Sequence, residues 1–169
     1  MTVRSGLLRT AVALPVVGLA ILAASQQLGA QALSGHDSNA PVDFGADRIE
    51  MQDKQNRVVL TGNVDITQTD LRMRAARTVI DLANAKQLQV NRITASGSVV
   101  VTRQDQTATG DTAIYDLNQR IITMVGNATL KRAGGDTLRG GRFVIDLKSG
   151  VSSASGGRVT GTFNVPKKN

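Results

Sequence analysis

A short pattern that returns about every 30 residues constrains this chain more than any other feature. Each copy sets a glycine inside a stretch rich in Val, Ile, Thr and small residues, and the four glycines are Gly62, Gly97, Gly126 and Gly157. A β-unit of this length cannot bury its apolar face alone, so consecutive units must stack and share one core. The repeat therefore predicts a continuous array of about four β-units.

Apolar and polar residues alternate on both sides of the repeated glycines. Around the first glycine, Val58, Leu60, Val64 and Ile66 fall on one face, mostly with polar side chains between them. A period of two is typical of strands that are buried on one face. Residues 71–83 would also suit a helix, but their counterparts in later units are β-like, so they are predicted as strand. The sequence thus predicts an all-β fold of antiparallel strands.

The same alternation selects the side chains that are expected to point into the interior. Most of them are aliphatic, as is usual for a protein core. They are Leu60, Val64, Ile66, Ile80, Leu82, Val99, Val101, Tyr115, Leu117, Leu130, Phe143, Ile145 and Phe163. The glycines lie on this face too, and a glycine inside a strand usually marks a bend or a close approach. A bend that curls the sheet and the close approach of another backbone or a ligand are both open explanations.

The first 32 residues have the organisation of an export signal. Arg4 and Arg9 precede an apolar run over residues 10–24, and residues 30–32, Ala-Gln-Ala, form a small-x-small cleavage site. The run is shorter than the ~20 apolar residues of a membrane-spanning helix. We therefore expect cleavage after Ala32 and a periplasmic protein, with an uncleaved membrane anchor as the alternative.

The rest of the chain is expected to form one domain. Residues 33–43 lack periodicity and are predicted to be a flexible lead-in, residues 44–165 to form the β-domain, and residues 166–169 to be a flexible tail. The chain contains no cysteine, which excludes disulfides, thiolate metal sites and a lipid-modified cysteine. Packing and hydrogen bonding alone must then hold the domain together.

The sequence offers no constellation for catalysis or metal binding. The only histidine, His36, falls in the predicted lead-in, so no Ser-His-Asp arrangement or histidine metal cluster can be built around the β-units. Asp81, Asp116 and Asp146 recur once per unit just before a turn, which is typical of turn capping rather than of a paired acid and base. No enzymatic activity, cofactor or metal is expected.

The chain is basic, with a formal net charge of +7. Nucleic-acid binding is not expected, because the chain carries an export signal and only 2% aromatic residues, too few for a base-stacking platform. Basic residues clustered in the second halves of the units could contact phosphates or carboxylates of an anionic ligand, or could form a solvated outer face. They are Arg72, Arg74, Arg77, Lys131, Arg132, Arg139 and Arg142.

Together these features resemble the OstA-like lipopolysaccharide-transport family, and most closely its soluble periplasmic member. The resemblance rests on the export signal, on the starts Ala46–Asp47 and Gly110–Asp111, and on the repeated strand motif seen at Leu60–Val64. It covers residues 42–165. It implies a β-jellyroll, in which two antiparallel sheets stack as a slightly open, V-shaped sandwich around an apolar interior.

The family resemblance also implies a function and partners. The implied role is to bind lipopolysaccharide or a related anionic glycolipid, to shield its acyl chains and to bridge the inner and outer membranes during export and outer-membrane assembly. The implied partners are jellyroll proteins of the inner and the outer membrane. A membrane-anchored relative of the same fold and a structural β-array that carries no lipid are the alternatives.

The two ends of the array are expected to take part in assembly. An open stack leaves unpaired N–H and C=O groups along its first strand, predicted at about 46–52, and its last, predicted at about 158–165. Pairing the last strand of one copy with the first of another would build a head-to-tail homo-oligomer that continues the interior. A monomer whose termini cover both edges is the alternative.

Overall fold

The computed structural model describes residues 36–84 and 88–165. In these ranges the only helical element is a short 3-10 turn at Asp53–Gln55. The strands are β1 (Asp43–Gly45), β2 (Arg48–Gln52), β3 (Arg57–Gln68), β4 (Leu71–Asn84), β5 (Gln89–Arg103), β6 (Gln106–Asp116), β7 (Ile121–Arg132), β8 (Thr137–Asp146), β9 (Ser152–Ser155) and β10 (Thr160–Thr162). The predicted all-β class is confirmed, and residues 71–83 are strand. The predicted signal at 1–32 and tail at 166–169 lie outside the described residues.

All strand pairs are antiparallel and belong to one hydrogen-bonded sheet. Strands β3 to β8 are neighbours in the order of the chain, as short turns between consecutive strands favour. Each edge consists of two short strands: β1 and β2 both pair with β3, and β9 and β10 both pair with β8. The edge strands predicted at 46–52 and 158–165 correspond to β2 and β10, and β1 and β9 form the other part of each edge.

The long strands are bent near their middles by bulges at the repeated glycines. In β3, Gly62 and Asn63 together face the single residue Ala76 of β4, and both adopt left-handed conformations with φ of 78° and 44°. Glycine suits such a position because side chains with a Cβ rarely adopt it. The same pair of left-handed residues recurs at Gly97–Ser98 in β5 and at Gly126–Asn127 in β7. The structure thus supports the bend as one explanation of the glycines.

Close approach of the neighbouring strand is the other explanation, and it also applies. A Cβ on Gly97 would lie only 2.8 Å from the Cβ of Ala76, and a Cβ at either of the other two bulges would collide with an aspartate. The chain itself therefore accounts for these glycines without a ligand. The fourth glycine differs, because Gly157 lies between β9 and β10 and outside any strand. The predicted count of four repeats is not confirmed.

The bulges divide the sheet into two layers that face each other. We call the half that ends at the β6–β7 turn layer A, and the half that ends at the β5–β6 turn layer B. The Tyr115 hydroxyl in layer A donates to Oε1 of Gln68 in layer B over 3.0 Å, so the inner faces meet. The expected sandwich is therefore one continuous sheet folded on itself, because a bulge bends a strand without ending its ladder.

The predicted inward residues form the core of this folded sheet. Those that are buried are Leu60, Val64, Ile66, Ile80, Val99, Val101, Tyr115, Leu130, Phe143 and Ile145. Leu82 and Leu117 are half-buried against this core. The prediction that Phe163 is buried in this core is wrong: its side chain is 65% exposed, because it lies past Thr162, where β10 ends, at the outer edge of the sheet.

Candidate functional site

The interior is an apolar track that crosses the strands from one edge of the sheet to the other. Antiparallel register sets equivalent inward residues side by side, so each strand contributes one side chain to each row. The central row of layer A is Val58, Ile80, Ile93, Tyr115, Ile122 and Ile145, and that of layer B is Ile66, Met73, Val101, Ala108, Leu130 and Leu138. A surface of this kind attracts alkyl chains, at ~0.8 kcal/mol for each methylene group buried.

The track reaches the surface at both edges of the sheet. At the β1–β2 edge, Phe44, Ile49 and Met51 follow the inward alternation of β3 and are 46%, 50% and 58% exposed. At the β9–β10 edge, Val159 and Phe163 are 40% and 65% exposed. Large apolar side chains left exposed in this way are typical of surfaces that bind an apolar partner or ligand. Both ends of the track are therefore suited to be continued by another molecule.

Side chains of the two layers fill the interior between the edges. A cavity between the layers has a volume of about 10 Å³, room for about one water molecule. It is lined by Val42, Ile66, Gln68, Leu71, Met73, Ile93 and Tyr115. An alkyl chain can therefore be accommodated there only if the layers move apart.

A buried polar cluster closes one side of the interior, at the mouth where the free ends of the two layers meet. His36 Nδ1 lies 3.0 Å from Asp70 Oδ1, and its Nε2 lies 3.0 Å from Gln68 Oε1. Arg103 Nε donates to Asp70 Oδ2 over 2.7 Å, and the Tyr115 hydroxyl donates to the same Gln68 oxygen. All but Asp70 are buried. We call these five residues the mouth cluster.

The mouth cluster contradicts the expectation for the lead-in. His36 and Ser38 are buried rather than loose, and β1 begins inside the predicted lead-in at Asp43. The sequence did carry a signal for the seat of the cluster. Gln68 and Arg103 occupy inward positions of the alternation, where a polar side chain needs a buried partner. The identity of that partner could not be deduced, because His36 is more than 30 residues away in the chain.

Two acid–base groups in the mouth cluster are shifted. Burial opposes ionisation of Asp70, but the hydrogen bonds from His36 and Arg103 outweigh it and hold the pKa of that carboxyl below its usual value. Burial raises the pKa of the Tyr115 hydroxyl, which is therefore a neutral donor at physiological pH.

The recurring aspartates have structural roles. Asp116 and Asp146 each accept a backbone N–H of the turn that follows, over 2.9 and 2.8 Å, which confirms turn capping for both. These backbone donors hold the pKa of both carboxyls below its usual value. Turn capping is wrong for Asp81, which lies inside β4 between Arg57 and Arg92 of the adjacent strands.

The described residues contain neither a metal cluster nor a membrane-spanning helix. Within 36–84 and 88–165, no three His, Cys, Asp or Glu side chains are arranged to hold a metal ion. No helix in the same ranges combines the length and the apolar character needed to cross a bilayer.

The basic cluster lies mainly on the outer face of the sheet. Arg72 is ion-paired with Asp65, and this guanidinium holds the pKa of the carboxyl below its usual value. Arg74, Arg77, Lys131, Arg139 and Arg142 are also exposed. Arg132 differs, because it is half-buried and lies opposite Gln106 in the inward-facing row at the free end of layer B. The arrangement favours a solvated outer face for all of the cluster except Arg132.

Known proteins share this architecture. Residues 44–151, more than half of the chain, match the family described as "LptA/(LptD N-terminal domain) LPS transport protein". An uncharacterised protein of Rhizobium meliloti (strain 1021) is 27% identical over 170 residues, which cover 92% of this chain and 91% of that protein. The crystal structure of LptH, described as the LptA homologous periplasmic component of the lipopolysaccharide transport device of Pseudomonas aeruginosa, superposes with a TM-score of 0.70. The two chains are 19% identical, and the match covers 77% of this chain and 99% of the other.

The likeness to LptH confirms the jellyroll-like fold that the resemblance implied, and at 19% identity it concerns the fold alone. The family match is more specific, because it spans the sheet from β1 through β8 and so includes both layers of the interior. It also confirms the resemblance found in the sequence. The chain belongs to the LptA/LptD N-terminal domain family of lipopolysaccharide transport proteins.

Proposed function

We propose that this protein binds lipopolysaccharide, or a related anionic glycolipid, in the periplasm and shields its acyl chains on the way from the inner to the outer membrane. The observation that supports this most directly is the apolar track, which reaches the surface at both edges of the sheet. A protein that only stored a lipid would need one opening, whereas a conduit needs two. Family membership supports the same substrate class.

The physical role of the interior is to keep acyl chains out of water. At ~0.8 kcal/mol per methylene, a chain of about a dozen carbons represents roughly 10 kcal/mol of avoided water contact. Because each strand adds an equivalent side chain to each row, a chain can move along the track between similar sites. Movement between sites of similar energy has no net cost in free energy. The filled interior means that the layers open to admit the lipid.

Edge-strand pairing is the proposed mode of assembly. The β1–β2 edge of one copy and the β9–β10 edge of the next would pair head to tail, which joins their exposed apolar side chains into one interior. Such a contact is heterologous, so it extends a chain instead of closing it. The same two edges would meet jellyroll partners of the inner and outer membranes.

Site-specific photo-crosslinking tests the proposed binding site. Crosslinkers at the buried positions Leu60, Val99 and Ile145 are expected to capture lipopolysaccharide in membrane-containing cell extracts. Outward positions on the same strands, such as Thr94, serve as controls and are expected to stay unlabelled. Equal labelling of inward and outward positions would contradict the proposal. The absence of any amphiphile in the mass spectrum of the purified protein would favour the structural β-array instead.

Truncation tests the proposed assembly. Deleting residues 158–169 removes β10 and the exposed apolar side chains around it. We expect concentration-dependent growth in light scattering to disappear while the β-type circular dichroism persists, because β3 to β8 retain their pairing. Long assemblies of the truncated protein would contradict edge pairing.

The intact mass of the exported protein shows whether residues 1–32 are cleaved or retained as a membrane anchor.

A further inference from the structure

Residues 36–42, which we call the strap, start at layer B, contact layer A across the mouth of the interior and return to layer B, where β1 pairs with β3. Next to layer B, the ring of His36 is buried in the mouth cluster. Toward layer A, Arg120 in the turn between β6 and β7 donates from Nη2 to Asn39 Oδ1 over 3.3 Å. The strap then continues into β1. It therefore links the free ends of both layers.

Gln68 is the centre of the strap's seat. Its Nε2 donates to the carbonyl oxygens of Ser38 and Ala40, over 3.1 and 2.9 Å. These two bonds fix the orientation of the amide, so that Oε1 is the atom that faces His36 and accepts from Tyr115. One buried side chain of layer B thus contacts three strap residues and one residue of layer A. An apolar interior does not need these hydrogen-bonding groups for its own packing, so they are available to bind a polar segment.

Behind this polar seat, the strap covers apolar surface. Val42 packs against the core and lines the small cavity together with Ile66, Met73 and Ile93. From His36 to Val42, the strap therefore presents hydrogen-bonding groups first and an apolar side chain next. A glycolipid has the same order, with hydroxyl and phosphate groups followed by methylene groups.

We propose that the strap occupies the place that the head group and adjoining acyl chain of a glycolipid take when the lipid passes laterally through the mouth, so that strap and lipid compete. The proposal rests on the proposed function and adds a port and its contacts to it. With the strap displaced, the Gln68 amide, the Tyr115 hydroxyl and the Arg103 guanidinium border the mouth. These groups suit hydroxyl, carbonyl and phosphate oxygens of a head group, and the apolar rows behind them suit the acyl chain.

The variant His36→Ala tests the competition by weakening the strap without altering the interior. The matched control is Asp37→Asn, because Asp37 is exposed on the same segment and its carboxylate accepts the Asn39 N–H within the strap. Hydrogen exchange of residues 36–45 measures release of the strap. Stopped-flow fluorescence with labelled lipopolysaccharide measures association. Loss of a charge-assisted hydrogen bond is expected to accelerate both about tenfold, with the control unchanged.

The possible outcomes distinguish a failure of the strap proposal from a failure of the proposed function on which it rests. Faster exchange with an unchanged association rate overturns the competition, and unchanged exchange overturns the role of His36 as the anchor. Binding of lipopolysaccharide to none of the proteins, wild type included, overturns the proposed function and this proposal with it. His36→Gln, which retains one hydrogen bond, is expected to give intermediate rates. It replaces the alanine variant if that protein unfolds at a lower temperature than wild type.

Discussion

The inner faces of layer A and layer B differ at the mouth. Layer A stays apolar to its end, where Leu82 and Leu117 follow the row of Val58 and Ile80. Layer B changes character in its last row, which contains Gln68, Leu71, Arg103, Gln106 and Arg132. At the mouth, the last inward row of layer A, which we call its margin, is thus apolar and faces a polar margin of layer B.

This difference teaches which parts of an amphiphile each layer suits. A layer that is apolar throughout can take an acyl chain at any depth. A layer with a polar margin fixes the orientation, because a head group gains hydrogen bonds only at that margin. Thr78 and Tyr115 are exceptions in layer A, and the Tyr115 hydroxyl points to Gln68 across the mouth. The two layers are therefore expected to respond differently to the same kinds of substitution.

The largest effect is expected for a charge inside layer A. Ile145 is fully buried, and Ile145→Asp would leave a carboxylate without a partner among aliphatic side chains. We expect the free energy of unfolding to fall by more than ~3 kcal/mol. Urea denaturation measures it. The control is Val144→Asp, since Val144 is half-buried on the outer face and the same charge there stays in contact with water. Equal losses would contradict the assignment of faces.

A smaller effect is expected for removing a charge from layer B. Arg103→Leu leaves Asp70 in the mouth cluster without its guanidinium donor. Because Asp70 is partly exposed, we expect a loss of about 2 kcal/mol, below the roughly 3–5 kcal/mol of a fully buried pair. Arg74→Leu on the outer face is the control, with a change near zero. A stabilised Arg103→Leu protein would show that the polar margin is dispensable for folding.

The smallest effect on stability is expected when the pH is lowered. The folded-state pKa of Asp70 is lowered, so its contribution to stability is present above the ordinary Asp value of about 3.9 and is lost as pH falls through the folded value. Protonation also removes the charge that holds His36, so the strap should exchange faster below about pH 4. Hydrogen exchange of residues 36–45 between pH 6 and pH 3, corrected for intrinsic rates, measures this change.

Two variants isolate the carboxyl responsible for the acid response. In Asp70→Asn, the strap is expected to exchange its amide hydrogens fast at every pH, because the negative charge that holds the His36 imidazole is absent. Asp116→Asn is expected to behave like wild type in the strap, since Asp116 caps a turn in layer A and its lowered pKa has a separate cause, the backbone N–H donors of that turn. An acid response that survives in Asp70→Asn would assign the effect to another group.

Most of the fold could be predicted because alternation is a local signal. Parity alone predicts the inward positions of Leu60, Val64 and Ile145, and three of the four repeated glycines mark bulges. Parity did not predict the exposure of Phe163, because alternation in the sequence does not show where a strand ends or whether another strand covers it. It also says nothing of segments without periodicity.

The mouth cluster could not be predicted for that second reason. His36 lies in a segment without alternation, and its partners come from turns and strands that only the folded sheet brings near. A polar residue at an inward position, such as Gln68, predicts that some partner exists but not which one. The interior was therefore recoverable from the sequence, whereas the closure of its mouth required the structure.

The bulges give the sheet a mechanical property. Strands β3 to β8 each belong to both layers, so the layers cannot slide past each other or separate one strand at a time. They can only change their angle along the line of bulges, where the register of the backbone ladder is already interrupted. Adjacent strands must then tilt together, since the pairs on either side of the line stay bonded. A ligand that separates the layers at one edge thus also separates them at the neighbouring strands, and the free-energy cost of opening is distributed along the whole line of bulges.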